Sequence, residues 1–76
     1  MQQRMIGDNV MAKRLDLHGI LHEDVDRLVE NFALLNNPPL EIICGNSSMM
    51  VGIVLKVLDK HNIDWERWDY GTIKIL

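Results

Sequence analysis

The apolar residues of this chain change period along its length, and that alternation restricts the fold more than any other feature. From Arg14 to His18 apolar and polar side chains alternate, the period of a half-buried strand. From about His22 to Leu35 the period becomes helical: Val25, Leu28, Val29 and Phe32 follow the i, i+3, i+4, i+7 spacing of a buried stripe. Asn36, Asn37, Pro38 and Pro39 end that helix. Leu40 to Cys44 is a second short strand, and Gly45, Asn46, Ser47 and Ser48 form a turn whose hydroxyls suit a helix cap. The capped helix runs to about His61 on a stripe of Val51, Val54, Leu55 and Leu58. Ile63 to Asp69 and Thr72 to Leu76 then form two strands joined by a tight turn at Tyr70 and Gly71.

The order is therefore β-α-β-α-β-β. Strands separated by helices pair in parallel through right-handed crossovers, and the last strand returns antiparallel. The expected fold is an α/β two-layer sandwich, with a four-stranded mixed sheet and both helices on one face. Met50, Ile53 and Val57 widen the apolar arc of the second helix to about 200° at ~3.6 residues per turn. Such a band is core if the sheet covers it, and otherwise a surface for a homodimer or a protein partner.

A chain of 76 residues holds one small domain, here residues 13–76, with residues 1–12 (MQQRMIGDNVMA) read as a flexible leader or an extra strand. The 47% hydrophobic and 25% charged fractions are those of a soluble globular domain, with no apolar run of the roughly 18 residues a membrane span requires. One cysteine, Cys44, excludes an internal disulfide framework, and no signal-peptide stretch opens the sequence; a cytoplasmic location is expected. A net charge of −3 is the wrong sign for a broad nucleic-acid-coating surface, so any such contact is local.

In parallel α/β units, ligands bind at the carboxyl ends of the strands. Three segments meet at that rim: Asp16 to Gly19, Cys44 to Ser47, and Tyr70 to Thr72. Alternation sends Leu15 and Leu17 under the helices and Asp16 and His18 to the opposite face, roughly 6 to 7 Å apart along the backbone. The same parity puts Glu41, Ile43, Trp68, Thr72 and Lys74 on the open face, a mixture able to hold a nucleotide by stacking and phosphate contact. Gly45 to Ser48 present free N–H groups at a helix N-terminus, where partial positive charge favours an anion.

Leu15-Asp16-Leu17-His18-Gly19, the acidic helix start at Glu23 and Asp24, Ile42-Ile43-Cys44-Gly45, and Gly71-Thr72-Ile73-Lys74-Ile75 together resemble the small MutS-related (Smr) domain family over residues 14 to 76. The resemblance implies a fold like the C-terminal domain of translation initiation factor three. It also implies a nicking or RNA-cleaving endonuclease, divalent-metal-dependent in some members. Asp16 and His18 match the family's functional Asp and His, and Gly19 its turn glycine. The second family motif, Thr or His followed by Gly, any residue and Gly, retains only Gly45 in Cys44-Gly45-Asn46-Ser47; a frequent lysine is lost, and the glycine-rich stretch before the last strand shrinks to Gly71.

An imidazole can exchange protons around neutral pH, so His18 is suited to be the general acid or base, and Asp16 to orient it or to bind one Mg²⁺ or Mn²⁺ transiently with substrate phosphate. Catalysis is thus expected at Asp16 and His18. Substrate or phosphate contacts are expected at Gly19, Gly45, Asn46, Ser47, Ser48, Trp68, Gly71, Thr72 and Lys74. The competing expectation is a non-catalytic nucleic-acid or protein-binding module of the same fold, with Asp16 and His18 forming a polar turn. Cys44 reads as a small buried filler rather than a nucleophile, His22 as a helix-start residue, and His61 as a partner of the helix dipole.

Overall fold

The computed structural model describes residues 13–76; the leader or extra strand expected at residues 1–12 lies outside the described residues. Six elements follow in the expected order: β1 (Lys13–Asp16), α1 (His22–Leu35), β2 (Leu40–Ile43), α2 (Ser48–Lys60), β3 (Trp65–Asp69) and β4 (Thr72–Ile75). They build one four-stranded sheet in the order β1-β2-β4-β3. β1 and β2 are parallel, with Asp16 opposite Ile43. β4 lies antiparallel between β2 and β3, with Thr72 opposite Ile43 and Asp69.

Both helices cover one face. Leu17, Leu40, Ile42, Cys44, Ile73 and Ile75 from the sheet side pack with Val25 and Val29 of α1 and Met50, Val51, Val54, Val57 and Leu58 of α2. Apolar side chains from both layers leave water there, which is the main favourable term in folding a domain of this size. Met50 and Val57 are buried and Ile53 is half-buried against this core. The partner surface considered for these three residues is therefore corrected: the sheet and α1 already cover the wide arc of α2.

Local chemistry sets the element ends. Glu23 and Asp24 fill the first turn of α1, where the helix dipole favours acids. At its other end the Asn36 amide donates to the Phe32 carbonyl at 2.9 Å. α2 begins at Ser47, whose Oγ accepts the Met50 N–H at 3.0 Å. It closes with the Asn62 N–H on the Asp59 carbonyl and the Ile63 N–H on the Leu58 carbonyl, while Asn62 takes a positive φ of 56°. That is a Schellman ending with asparagine in the left-handed position. Because this ending uses Asn62 and Ile63, β3 starts at Trp65 rather than at Ile63. His61 also does more than face the helix end: its buried Nε2 lies 2.9 Å from Glu30 Oε2 of α1, a close approach that lacks hydrogen-bond geometry.

Candidate functional site

β1 ends two residues before the expected His18, and the cause is the Asp16 side chain. Asp16 Oδ1 accepts the His18 backbone N–H at 3.0 Å, which bends the chain out of the strand, although the Leu17 N–H still donates to the Ile43 carbonyl at 2.9 Å. Gly19 completes the turn at φ 77°, in the left-handed region that favours glycine. The same Oδ1 lies 2.6 Å from His18 Nδ1. The two side chains, expected 6 to 7 Å apart along an extended strand, are thus in direct contact. Both are exposed, at 68% for His18 and 60% for Asp16. The backbone hydrogen bond from His18 holds the Asp16 carboxyl below its ordinary value of 3.8, and the imidazole contact adds to that effect.

An ionised Asp16 can only accept, so Nδ1 donates to it, and in the neutral imidazole the lone pair is left on Nε2. That nitrogen faces Gly45. A methyl group at position 45 would stand 2.9 Å from His18 Nε2, and Gly45 itself has φ 71°. Gly45 opens the turn into α2, so the imidazole sits beside the loop whose N–H groups begin the helix. The third segment closes on the same residue. The Cys44 N–H donates to the Gly71 carbonyl at 2.7 Å. A Cβ at position 71 would overlap the Gly45 carbonyl oxygen and lie 2.9 Å from its carbon. The three segments expected to gather at the rim do so, with Gly45 at their centre.

Beyond Gly45 opens a cavity of about 370 Å³, lined by Gly45, Asn46, Ser47, Ser48, Val51, Gly52, Arg67 and Tyr70. All four residues of the expected anion turn line it. Arg67 and Tyr70 do too, and neither was among the expected contacts. Arg67 donates from Nη2 to the Tyr70 carbonyl at 3.0 Å, which holds the guanidinium over the hairpin end. The signal for Arg67 was parity: Trp65 packs partly against the core, and Arg67, two residues on and opposite the buried Ile73, shares its side of the sheet. Its cation stands by the turn that lacks a lysine.

The remaining expected contacts are distributed differently. A methyl group at Gly19 would meet nothing within 4 Å, so this residue acts through its backbone conformation. Thr72 is half-buried in the ladder between Ile43 and Asp69. Trp68 and Lys74 lie on the open face, with Lys74 Nζ 4.6 Å from the Trp68 ring centroid, a cation–π distance. Lys74 is also flanked in register by Glu41 and Glu66, and Glu41 pairs with Arg14 at 2.9 Å. Cys44 is buried, and burial pushes its thiol above the ordinary value of 9.0.

No group of three or more His, Cys, Asp or Glu side chains converges to hold a metal ion among the described residues. Asp16 leaves one carboxylate oxygen, Oδ2, outside its contacts with His18. That donor set does not make a resident Mg²⁺ or Mn²⁺ site, since such ions favour several oxygen ligands. None of the helices among the described residues is long and apolar enough to cross a membrane.

No protein-family model and no curated protein sequence matches the chain. Among solved structures, the fold is similar to the solution structure of the SMR domain of NEDD4-binding protein 2. The two are 21% identical and superpose with a TM-score of 0.57 over 87% of this chain and 85% of that one. The chain therefore has an Smr-like fold, the architecture that the motifs around Asp16 and Gly45 implied.

Proposed function

We propose that the protein is an Smr-like endonuclease that hydrolyses a phosphodiester bond of structured DNA or RNA, with Asp16 and His18 as its catalytic pair. The observation that carries this reading is the alignment of the pair: Asp16 on Nδ1 at 2.6 Å, and Nε2 directed at Gly45, the first residue of the anion-favouring turn. A phosphate resting on the N–H groups of that turn would have its non-bridging charge offset by the start of α2 and by Arg67. His18 Nε2 takes a proton from the attacking water as the water oxygen bonds to phosphorus, the P–O bond on the opposite side breaks, the leaving oxygen takes its proton from solvent, and the imidazolium returns its own proton to solvent. Asp16 stabilises the imidazolium formed between these steps. A cytoplasmic setting suits the single thiol.

A second reading, a binding module of the same fold without catalysis, is favoured by Asn46 and Ser47 standing where the family motif has its variable residue and second glycine. One experiment separates the two. Wild type, Asp16→Ala and His18→Ala are compared in nicking of supercoiled plasmid and cleavage of structured RNA, each with Mg²⁺ or Mn²⁺. Cleavage lost in both variants supports the endonuclease. Cleavage equal in all three, or absent from wild type, removes the catalytic assignment.

A further inference from the structure

We infer that the β3–β4 hairpin is a stacking clamp for unpaired nucleotides, so that the substrate segment entering the site is single-stranded nucleic acid. This deepens the reading of the rim as a nucleic-acid site and rests on it. Trp68 and Tyr70 are 57% and 79% exposed, and they are the two aromatic residues among the exposed large hydrophobic side chains of the described residues. They serve opposite sides of the hairpin end. Trp68 stands on the open face under the Lys74 ammonium, whereas Tyr70 borders the cavity beside Arg67. The Lys74 ammonium lies at the Trp68 ring, and the Arg67 guanidinium bonds the Tyr70 carbonyl and lines the same cavity as Tyr70, so a cation that can meet a phosphate stands near each aromatic residue.

The two aromatics are separated by Asp69 alone, so their Cα atoms are no more than about 7 Å apart. Gly71, one residue further on, touches Gly45, which in turn faces His18 Nε2. A strand crossing the hairpin end would lay neighbouring bases on Trp68 and Tyr70 while its backbone passes the imidazole. Aromatic faces accept splayed bases, but a duplex offers only its edges and backbone, with its own bases already stacked. Charge leads to the same conclusion. The net charge is −3, and Arg67 and Lys74 are the hairpin's two cations. Little counterion release is available to hold a duplex, so stacking supplies the affinity.

The test is binding by fluorescence anisotropy of end-labelled oligouridylate, oligothymidylate and a blunt DNA duplex of equal length. The full chain carries His18→Ala, to prevent cleavage. Both single strands are expected to bind at least about tenfold more tightly than the duplex, with a log–log salt slope near −1.4 for two phosphates at roughly −0.7 each. Trp68→Ala and Tyr70→Ala should each weaken single-strand binding about tenfold, and Trp68→Phe should restore it. Both residues are exposed, so thermal melts should match the parent. Tighter binding of one single strand over the other assigns the sugar preference and supports the clamp. Duplex binding as tight as single-strand binding, aromatic variants that bind like the parent, or no binding to any oligonucleotide overturns it. Failure of the endonuclease assignment is read separately, from cleavage by the wild type and its Asp16 and His18 variants.

Discussion

Gly71 rests on the backbone of Gly45 with no room for a side chain between them, and Gly45 lies close enough to His18 that a methyl group there would press on Nε2. The final hairpin is thus connected to the imidazole through two glycines in contact. Gly71→Ala must push the hairpin away from the β2 turn, and Gly45→Ala must move the imidazole as well as occupy φ 71°. Overpacking against backbone costs about 1–3 kcal/mol in Gly71→Ala, whereas Gly45→Ala meets the tip of an exposed imidazole that can swing aside and carries chiefly the cost of a left-handed alanine, about 1–2 kcal/mol. Both variants should melt earlier in urea and lose cleavage. Gly19→Ala, with open space around it, should carry only the cost of its φ of 77°. Gly71→Ala with wild-type stability would refute the close contact.

The pairing of Asp16 with His18 predicts a pH dependence of known sign. The folded carboxyl titrates below 3.8, so its contribution to stability is complete above the unfolded value and is lost as pH falls through the lowered folded one. The stability gap between wild type and Asp16→Asn should therefore narrow in acid and stay constant toward neutrality. Because the group is exposed, the gap itself should be small. Carboxyl ¹³C chemical shifts give the direct reading, and titration of Asp16 at or above 3.8 would contradict the geometry. In cleavage, Asp16→Asn should lower kcat by about 10²-fold or more, because its amide no longer stabilises the imidazolium.

Cys44 lies one residue before the site turn yet takes no part in it. Its side chain faces the helices, 5% exposed, and burial raises its thiol, the reverse of what a nucleophile needs. Native protein should react with a thiol reagent far more slowly than urea-unfolded protein, and Cys44→Ala should leave cleavage unchanged. Fast labelling of the folded chain would restore the nucleophile as a candidate.

How far the sequence carried the fold can be judged from single residues. The bounds of α1 were legible because the Val25, Leu28, Val29, Phe32 stripe is regular and Pro38 and Pro39 follow it. The end of β1 was not, because a side chain decided it: the hydrogen bond from the His18 N–H to Asp16 competes with the ladder. That same bond turned a pair of residues on one face into a contacting pair. Arg67 was not among the expected contacts although alternation from Trp65 reached it, and Tyr70 was expected at the rim but not as a contact, because β3 and β4 slip register between Arg67 and Asp69 and alternation does not show which loop the strand tip overlies. The gathering of the three segments at one rim was legible, since topology alone brings strand ends together; their contact through Gly45 was not, because it depends on the close approach of Gly71 and His18.

Ser47 serves two purposes that a substitution can separate. Its Oγ caps α2 by accepting the Met50 N–H, while its residue lines the cavity. Ser47→Ala should destabilise by about 1 kcal/mol, whereas Ser47→Asp should keep the cap but place a negative charge where a phosphate would rest. Aspartate should therefore restore the urea midpoint and still weaken oligonucleotide binding. Binding undiminished in Ser47→Asp would move the anion site away from this turn.

Arg67 offers the sharpest test of charge at the site, because its guanidinium stands beside a turn whose own sequence carries no cation from Gly45 to Ser48. If it meets one phosphate, Arg67→Ala should reduce the salt slope of single-strand binding by about 0.7. Arg67→Lys should recover that slope while losing the bond to the Tyr70 carbonyl that fixes the arginine. The lysine variant is then expected to bind with near-wild-type salt dependence but to cleave more slowly, since a mobile ammonium holds the phosphate less firmly against His18 Nε2. An alanine variant with the full wild-type slope would show that the cation meeting the phosphate lies elsewhere, with Lys74 on the open face the next residue to substitute.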